Sequence, residues 1–128
     1  METSQLKRIP LFADASDEEL GKVAVFAETK QFGEGTEVIS EGGFSRELFA
    51  IEDGTAEVTR GGKKVADLGQ GDIFGEAGML DDEMRSASVI ATSPLRVISM
   101  GHFEVKKLKK HAPDVYARIE QLVEERSG

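Results

Sequence analysis

Glycine cuts the middle of this chain into short pieces. Between Thr29 and Asp72 the runs TEVISEG, RELFAIEDG, TAEVTRGG and KKVADLGQGD follow one another at intervals of about ten residues, each closed by a glycine turn signal. Runs of that length do not build helices with a buried stripe, and no helical pattern lies between them as alternating βα units would require. An antiparallel barrel or sandwich is the architecture such spacing favours. Asp53-Gly54 and Gly61-Gly62 are tight-turn signals, because glycine supplies the positive φ that such turns need. SASVIA and LRVISM continue the strand series, divided by Ser93-Pro94.

Helical patterns flank the strands. Ser16 with Glu19 three residues on reads as a capping box, and Leu20, Val23, Ala24 and Ala27 then recur at helical spacing. The IPLF stretch before them reads as a tight, buried segment. After the strands, HFEVKKLKKHAPDVYARIEQLVEERSG is helical, with Pro113 suited to a first turn and Asp114 favourable at the positive helix end. Val115, Ile119, Leu122 and Val123 form one apolar stripe. The chain is expected to be mainly β with flanking helices, one domain over 1–128: a helical lead-in over 1–28, a strand-rich body over 29–100 and C-terminal helices over 101–126.

Composition removes several functional classes. A chain of 128 residues is long enough to bury a core without metals or disulfides, and the absence of cysteine excludes both disulfides and thiolate metal sites. The net charge of −8, from 24 acidic against 16 basic residues, repels nucleic acid unless a local patch intervenes. KKLKK, Lys106 to Lys110, is such a patch, but it lacks interleaved aromatics and reads as a solvated helix face. His102 and His111 read as exposed helix residues rather than metal ligands. No stretch approaches the roughly 18 apolar residues of a membrane span. The N-terminus METSQLKRIPLF has no apolar secretory core, so a cytoplasmic location is expected, with no membrane and no nucleic-acid partner.

Chemistry concentrates in GDIFGEAGMLDDEMRSASVIA, residues 71–91. Strand character ends at Phe74, and Gly75 lets the backbone turn sharply or approach a ligand closely. Glu76 to Leu80 reads as a single helical turn, whose free N–H groups suit an anion. Arg85 follows just before a strand, and an arginine beside exposed amides suits a phosphate through bidentate hydrogen bonds. The Glu76 carboxylate accepts hydrogen bonds only, which suits a sugar hydroxyl. A molecule with both a phosphodiester and a free ribose hydroxyl is a nucleotide. The residues alone equally allow Glu76 to cap a turn and Arg85 to pair with Asp81, Asp82 or Glu83. The glycine pattern is neither a Walker A loop nor a dinucleotide fingerprint.

This same stretch resembles the phosphate-binding cassette of cyclic nucleotide-binding domains, F-G-E, a short helix, then R-(S/T/A)-A. IPLFADASDEEL resembles that family's helical lead-in, and FGEGTEVISEGGFSRELFAIEDGTAEV its early strands, so the likeness runs over roughly residues 5–125. It implies an antiparallel β-roll or jelly-roll barrel of about eight strands. Residue by residue it implies that Glu76 binds the ribose 2′-OH and Arg85 the cyclic phosphate. Gly75, Ala77 and Gly78 would shape the turn and present backbone groups. Ser86 would place its amide near the phosphate or base, with Ala87 the small residue that follows. Phe74 would pack nearby, and Val65 and Leu68 would form one wall for the base.

The resemblance further implies a regulatory module rather than an enzyme. Its ligand would be cAMP or cGMP, cAMP by preference, with no cofactor or metal. Binding would move the C-terminal helix against the barrel, with Tyr116, Arg118 and Gln121 as candidate lid contacts. The chain lacks the helix-turn-helix of the family's transcription factors, so the expectation is a free-standing sensor with a protein effector or a part of a larger polypeptide with a fused output domain. Two other readings compete. One is a protein-interaction scaffold that binds no nucleotide, against which Glu76 and Arg85 argue. The other is a cupin-like enzyme, which would need a cluster of metal ligands that two scattered histidines do not supply.

Overall fold

A computed structural model of the chain describes residues 2–42, 47–75 and 87–127, with side chains described through Leu122 in the last helix. It opens with α1 (Thr3–Lys7), a 3-10 helix (Pro10–Phe12) and α2 (Asp17–Phe26). Pro10 starts the 3-10 turn, where its missing N–H costs nothing, and Ile9, Leu11 and Phe12 are buried as the IPLF stretch predicts. Ser16 Oγ accepts the Glu19 amide at 3.1 Å, so the predicted cap forms. Its reciprocal half does not take the expected shape. The Glu19 carboxylate instead accepts the backbone N–H of Val115 at 3.2 Å, which caps the first turn of α4 (Pro113–Ser127) from a distant part of the chain.

Eight antiparallel strands make up the body among the described residues: β1 (Glu28–Phe32), β2 (Glu37–Ile39), β3 (Glu47–Asp53), β4 (Ala56–Arg60), β5 (Lys63–Leu68), β6 (Ile73–Phe74), β7 (Ser88–Ala91) and β8 (Leu95–Gly101). They form two four-stranded sheets ordered β1-β8-β3-β6 and β2-β7-β4-β5. The first sheet is covered on both faces. On β3, Leu48 and Ala50 join a cluster with α2, the 3-10 helix, α3 (His102–His111) and α4, while Phe49 and Ile51 turn into the barrel. β8 alternates likewise, with Ile98 and Met100 toward the helices and Leu95 and Val97 inward. A strand buried on both faces loses the apolar-polar alternation of a half-solvated one.

The Gly61-Gly62 signal closes a two-residue hairpin between β4 and β5, with φ of 60° and 80°. Asp53-Gly54 is a tight turn of another kind. β3 and β4 belong to different sheets, so this turn carries the chain from one sheet to the other. The step from β7 to β8 crosses back beside it. Thr55 N–H donates to Ser93 Oγ at 2.9 Å, Thr92 N–H to the Thr55 carbonyl at 3.0 Å, and the two threonine hydroxyls lie 2.8 Å apart. Gly54 has φ 102°, and a Cβ there would run into the Pro94 carbonyl oxygen.

The C-terminal stripe packs as predicted at Val115, Ile119 and Leu122, against the helical cluster. Within KKLKK the lysines are exposed and Leu108 is fully buried. His102 departs from its expected exposure: it is buried at the first turn of α3, its ring 5.5 Å from that of Phe103. No helix among the described residues is long and apolar enough to cross a membrane.

Candidate functional site

The strand that leads into residues 75–87 is held from behind. Asp72 organises the turn between β5 and β6, its Oδ2 accepting the Gly69 amide at 2.8 Å while its own N–H donates to the Gly69 carbonyl. The turn also clamps onto β3, with Gly71 N–H to the Ile51 carbonyl at 2.9 Å and Ile51 N–H to the Asp72 carbonyl at 2.8 Å. This fixes Ile73 toward the helices and Phe74 toward the barrel. The Phe74 ring stacks on Phe49, centroids 4.9 Å apart and planes at 18°. Gly75 follows with φ 83°, a conformation that disfavours any side chain. The sharp turn expected at Gly75 is therefore present.

The chain rejoins the described structure at half-buried Ala87 and buried Ser88, now in the other sheet between β2 and β4. Ser88 Oγ accepts the Glu41 amide at 2.9 Å, and Glu41 Oε1 in turn accepts the Gly61 amide at the tip of the β4–β5 hairpin. One glutamate thus ties the start of β7 to the hairpin beside it. Neither Glu41 nor Ser88 was singled out from sequence. A serine in a strand, SASVIA, three residues past the arginine was the available signal, because a buried hydroxyl needs a partner.

Inside the second sheet, Val58 stands opposite Ala66 on β5 and Val89 on β7, and Leu68 opposite Ala56. Val58 and Leu68 are half-buried and pack on the barrel cluster with Phe32 and Val38. Val65 belongs to neither cluster. It is the extra residue at a bulge between the Val58–Ala66 and Thr59–Lys64 pairs, and 53% of it is exposed. On α4, Tyr116 packs against the helical cluster, while Arg118 and Gln121 are exposed. Burial and the nearby Glu120 carboxylate raise the Tyr116 hydroxyl above its ordinary pKa, so it is a neutral phenol at physiological pH. Glu76, Ala77, Gly78, Arg85 and Ser86 lie outside the described residues. Among the described residues no group of three or more histidines and carboxylates could hold a metal ion.

A family model for the cyclic nucleotide-binding domain matches residues 29–111, a span that contains both flanks and the residues between them. The chain belongs to the cyclic nucleotide-binding domain family. It is 39% identical over 98 residues to a cAMP-dependent protein kinase regulatory subunit of Yarrowia lipolytica, a match covering 75% of this chain and 26% of that protein. The chain spans about a quarter of the length of the curated relatives it matches. Among solved structures, the catabolite activator protein of Thermus thermophilus superposes with a TM-score of 0.83 at 25% identity, over 91% of this chain and 57% of that one. The regulatory subunit of a cAMP-independent protein kinase A from Trypanosoma brucei shares the fold, with a TM-score of 0.80 at 21% identity over 97% of this chain and 43% of that one. The family is one of regulatory binding domains, and the mainly antiparallel β fold with flanking helices expected from the sequence is the fold observed.

Proposed function

We propose that the chain binds a cyclic nucleotide, cAMP in preference to cGMP, against the inner face of β4, β5 and β7, and relays occupancy through α4 without catalysing a reaction. The carrying observation is the family match across residues 29–111, within which Glu76 and Arg85 stand where the cassette pattern has its glutamate and arginine. The frame around them supports this reading. Phe74 and Gly75 deliver the chain from one sheet, Ser88 receives it in the other, and half-buried Val58 and Leu68 offer apolar surface between, beside buried Val89. In this reading Glu76 accepts the ribose 2′-OH, Arg85 grips the cyclic phosphate, and Gly75, Ala77, Gly78, Ser86 and Ala87 supply backbone and room. Leu68 lines the base, with Val65 at the exposed margin. Likeness to the Trypanosoma brucei protein carries the fold alone, so the ligand rests on the cassette residues and not on the architecture.

Relatives that are protein kinase regulatory subunits make a kinase catalytic subunit the effector of choice. A charged hydrogen bond contributes about 1.5–3 kcal/mol. Arg85→Ala, which removes a bidentate charged pair, costs about 2–4 kcal/mol and weakens cyclic nucleotide binding by about 30- to 1000-fold in calorimetry. Glu76→Gln costs less, and most of its effect disappears with a 2′-deoxy ligand. Unchanged affinity in the arginine variant refutes the site. Absence of any thermal shift with either cyclic nucleotide favours the scaffold reading, because a ligand specific to the native state must raise the melting temperature.

A further inference from the structure

α3 presents a second surface, on the helical side of the first sheet and away from the barrel interior. Its buried stripe is His102, Val105 and Leu108. Phe103, Lys106, Lys107 and Lys110 recur at i, i+3, i+4 and i+7, so they share the opposite face, and all four are exposed. Phe103 keeps 69% of its surface exposed, which only Val25 and Val65 rival among the large apolar side chains described. Solvation alone gives no reason for a phenylalanine at the head of a lysine face.

The lysines also lack acidic partners. Elsewhere Lys7, Lys30 and Lys64 pair with Asp17, Glu47 and Asp67 at 2.8, 2.8 and 3.3 Å. Among the described residues no carboxylate lies within ion-pairing distance of Lys106, Lys107 or Lys110. Lys107 Nζ instead lies 5.6 Å from the Phe26 ring centroid, a cation–π contact, and Phe26 is 5.8 Å from the His111 ring. α3 carries four lysines against one glutamate, a net +3, so the rest of this −8 chain carries −11.

That asymmetry selects the size of the occupant. A bilayer or a duplex would bring the acidic remainder close to a broad anionic surface, within a screening length of about 8 Å at physiological ionic strength. A single acidic segment touches the basic face alone. The span from Phe103 to Lys110 is about 10 Å along the helix, which an extended chain covers in roughly three residues. We propose that this face docks an acidic segment of a partner protein, with carboxylates against Lys106, Lys107 and Lys110 and an apolar side chain covering Phe103.

The test is an NMR titration of the whole chain with a synthetic dodecapeptide of glutamates interrupted by two leucines, beside a glutamine version of it. The expected result is shift changes centred on α3, lost on raising salt and absent with the glutamine peptide. Lys107→Ala weakens binding by about two- to fivefold. Lys106→Glu with Lys110→Glu weakens it by about tenfold or more, as like charges oppose the carboxylates. Phe103→Ser also weakens it, and all variants keep their melting temperature and cyclic nucleotide affinity. Shifts elsewhere, equal binding of the glutamine peptide, or indifference to these substitutions overturns the proposal. So does tighter binding of phosphatidylserine vesicles or of a single-stranded oligonucleotide than of the acidic peptide.

Discussion

The helical side and the barrel interior are both apolar, yet they are closed to different degrees. Of the eleven large side chains that are fully buried among the described residues, nine sit in the helical cluster: Leu6, Ile9, Phe12, Leu20, Val23, Leu48, Val105, Leu108 and Ile119. The barrel cluster contributes only Ile51 and Val97, both from the sheet that the helices back. None comes from β4, β5 or β7, where Val58 and Leu68 stay half-buried. The helices thus complete a core of their own, while Val58 and Leu68 on the second sheet keep part of their apolar surface uncovered, which the proposed ligand would cover. Close packing makes the first region costly to alter, and incomplete packing makes the second receptive.

A pair of truncations separates the two regions. Leu108→Ala empties the sealed helical cluster and lowers stability by about 2–5 kcal/mol, read by urea unfolding. Its ligand affinity, measured well below the new melting temperature, stays as in the parent chain. Leu68→Ala removes a half-buried side chain and costs about 1 kcal/mol or less, yet it weakens cyclic nucleotide binding. If both variants lose stability and affinity in the same proportion, the division of labour is wrong.

The double crossover sharpens the comparison, because it joins the helix-backed sheet to the sheet proposed to face the ligand. Gly54→Ala forces a side chain into a left-handed backbone and against the Pro94 carbonyl, at a cost of about 1–3 kcal/mol. Gly62→Ala is the control, since its φ of 80° carries the same backbone strain with nothing within 4 Å of the added carbon. A larger loss at Gly54 than at Gly62 in thermal unfolding isolates the crossover contact.

Elements were legible where a local rule decided them. The Ser16 cap, the Gly61-Gly62 hairpin and Pro113 at the head of α4 follow from backbone chemistry that neighbouring residues dictate. Local rules gave no guidance where tertiary covering decided. Gly54 has the positive φ its sequence predicts, but a glycine turn looks alike whether the chain returns to the same sheet or crosses to another. Glu52, buried on β3, is covered because Gln5 reaches it from α1 and Arg96 stands 3.5 Å away on β8, neither of which is near it in sequence. His102 is buried for the same kind of reason. Val65 departs through a bulge, which breaks the pairing register that would set its face. Around the candidate site, the strand end at Phe74 and the turn at Gly75 follow local rules, whereas the Glu41–Ser88 link joins residues 47 positions apart and leaves no local trace.

The smallest expected effect lies at the outer edge of the helical region, where Lys7 and Asp17 join α1 to α2 at 2.8 Å. The Lys7 ammonium, by hydrogen bond and by charge, holds the Asp17 carboxyl below its ordinary value of 3.8, and slight burial opposes this only in part. A carboxyl depressed in the folded state stabilises the fold above its unfolded pKa and loses that contribution as pH falls through the folded one. The contribution is therefore intact at neutral pH and fades below about pH 4. The pair is solvent-exposed, so its effect is small and salt weakens it. Asp17→Asn should leave Ser16 as the cap of α2 while making the acid limb of unfolding shallower, measured by circular dichroism from neutral to acidic pH at low ionic strength. An acid limb as steep as in the parent chain would place that sensitivity in other carboxylates and remove this pair from the account of how the helical side is held.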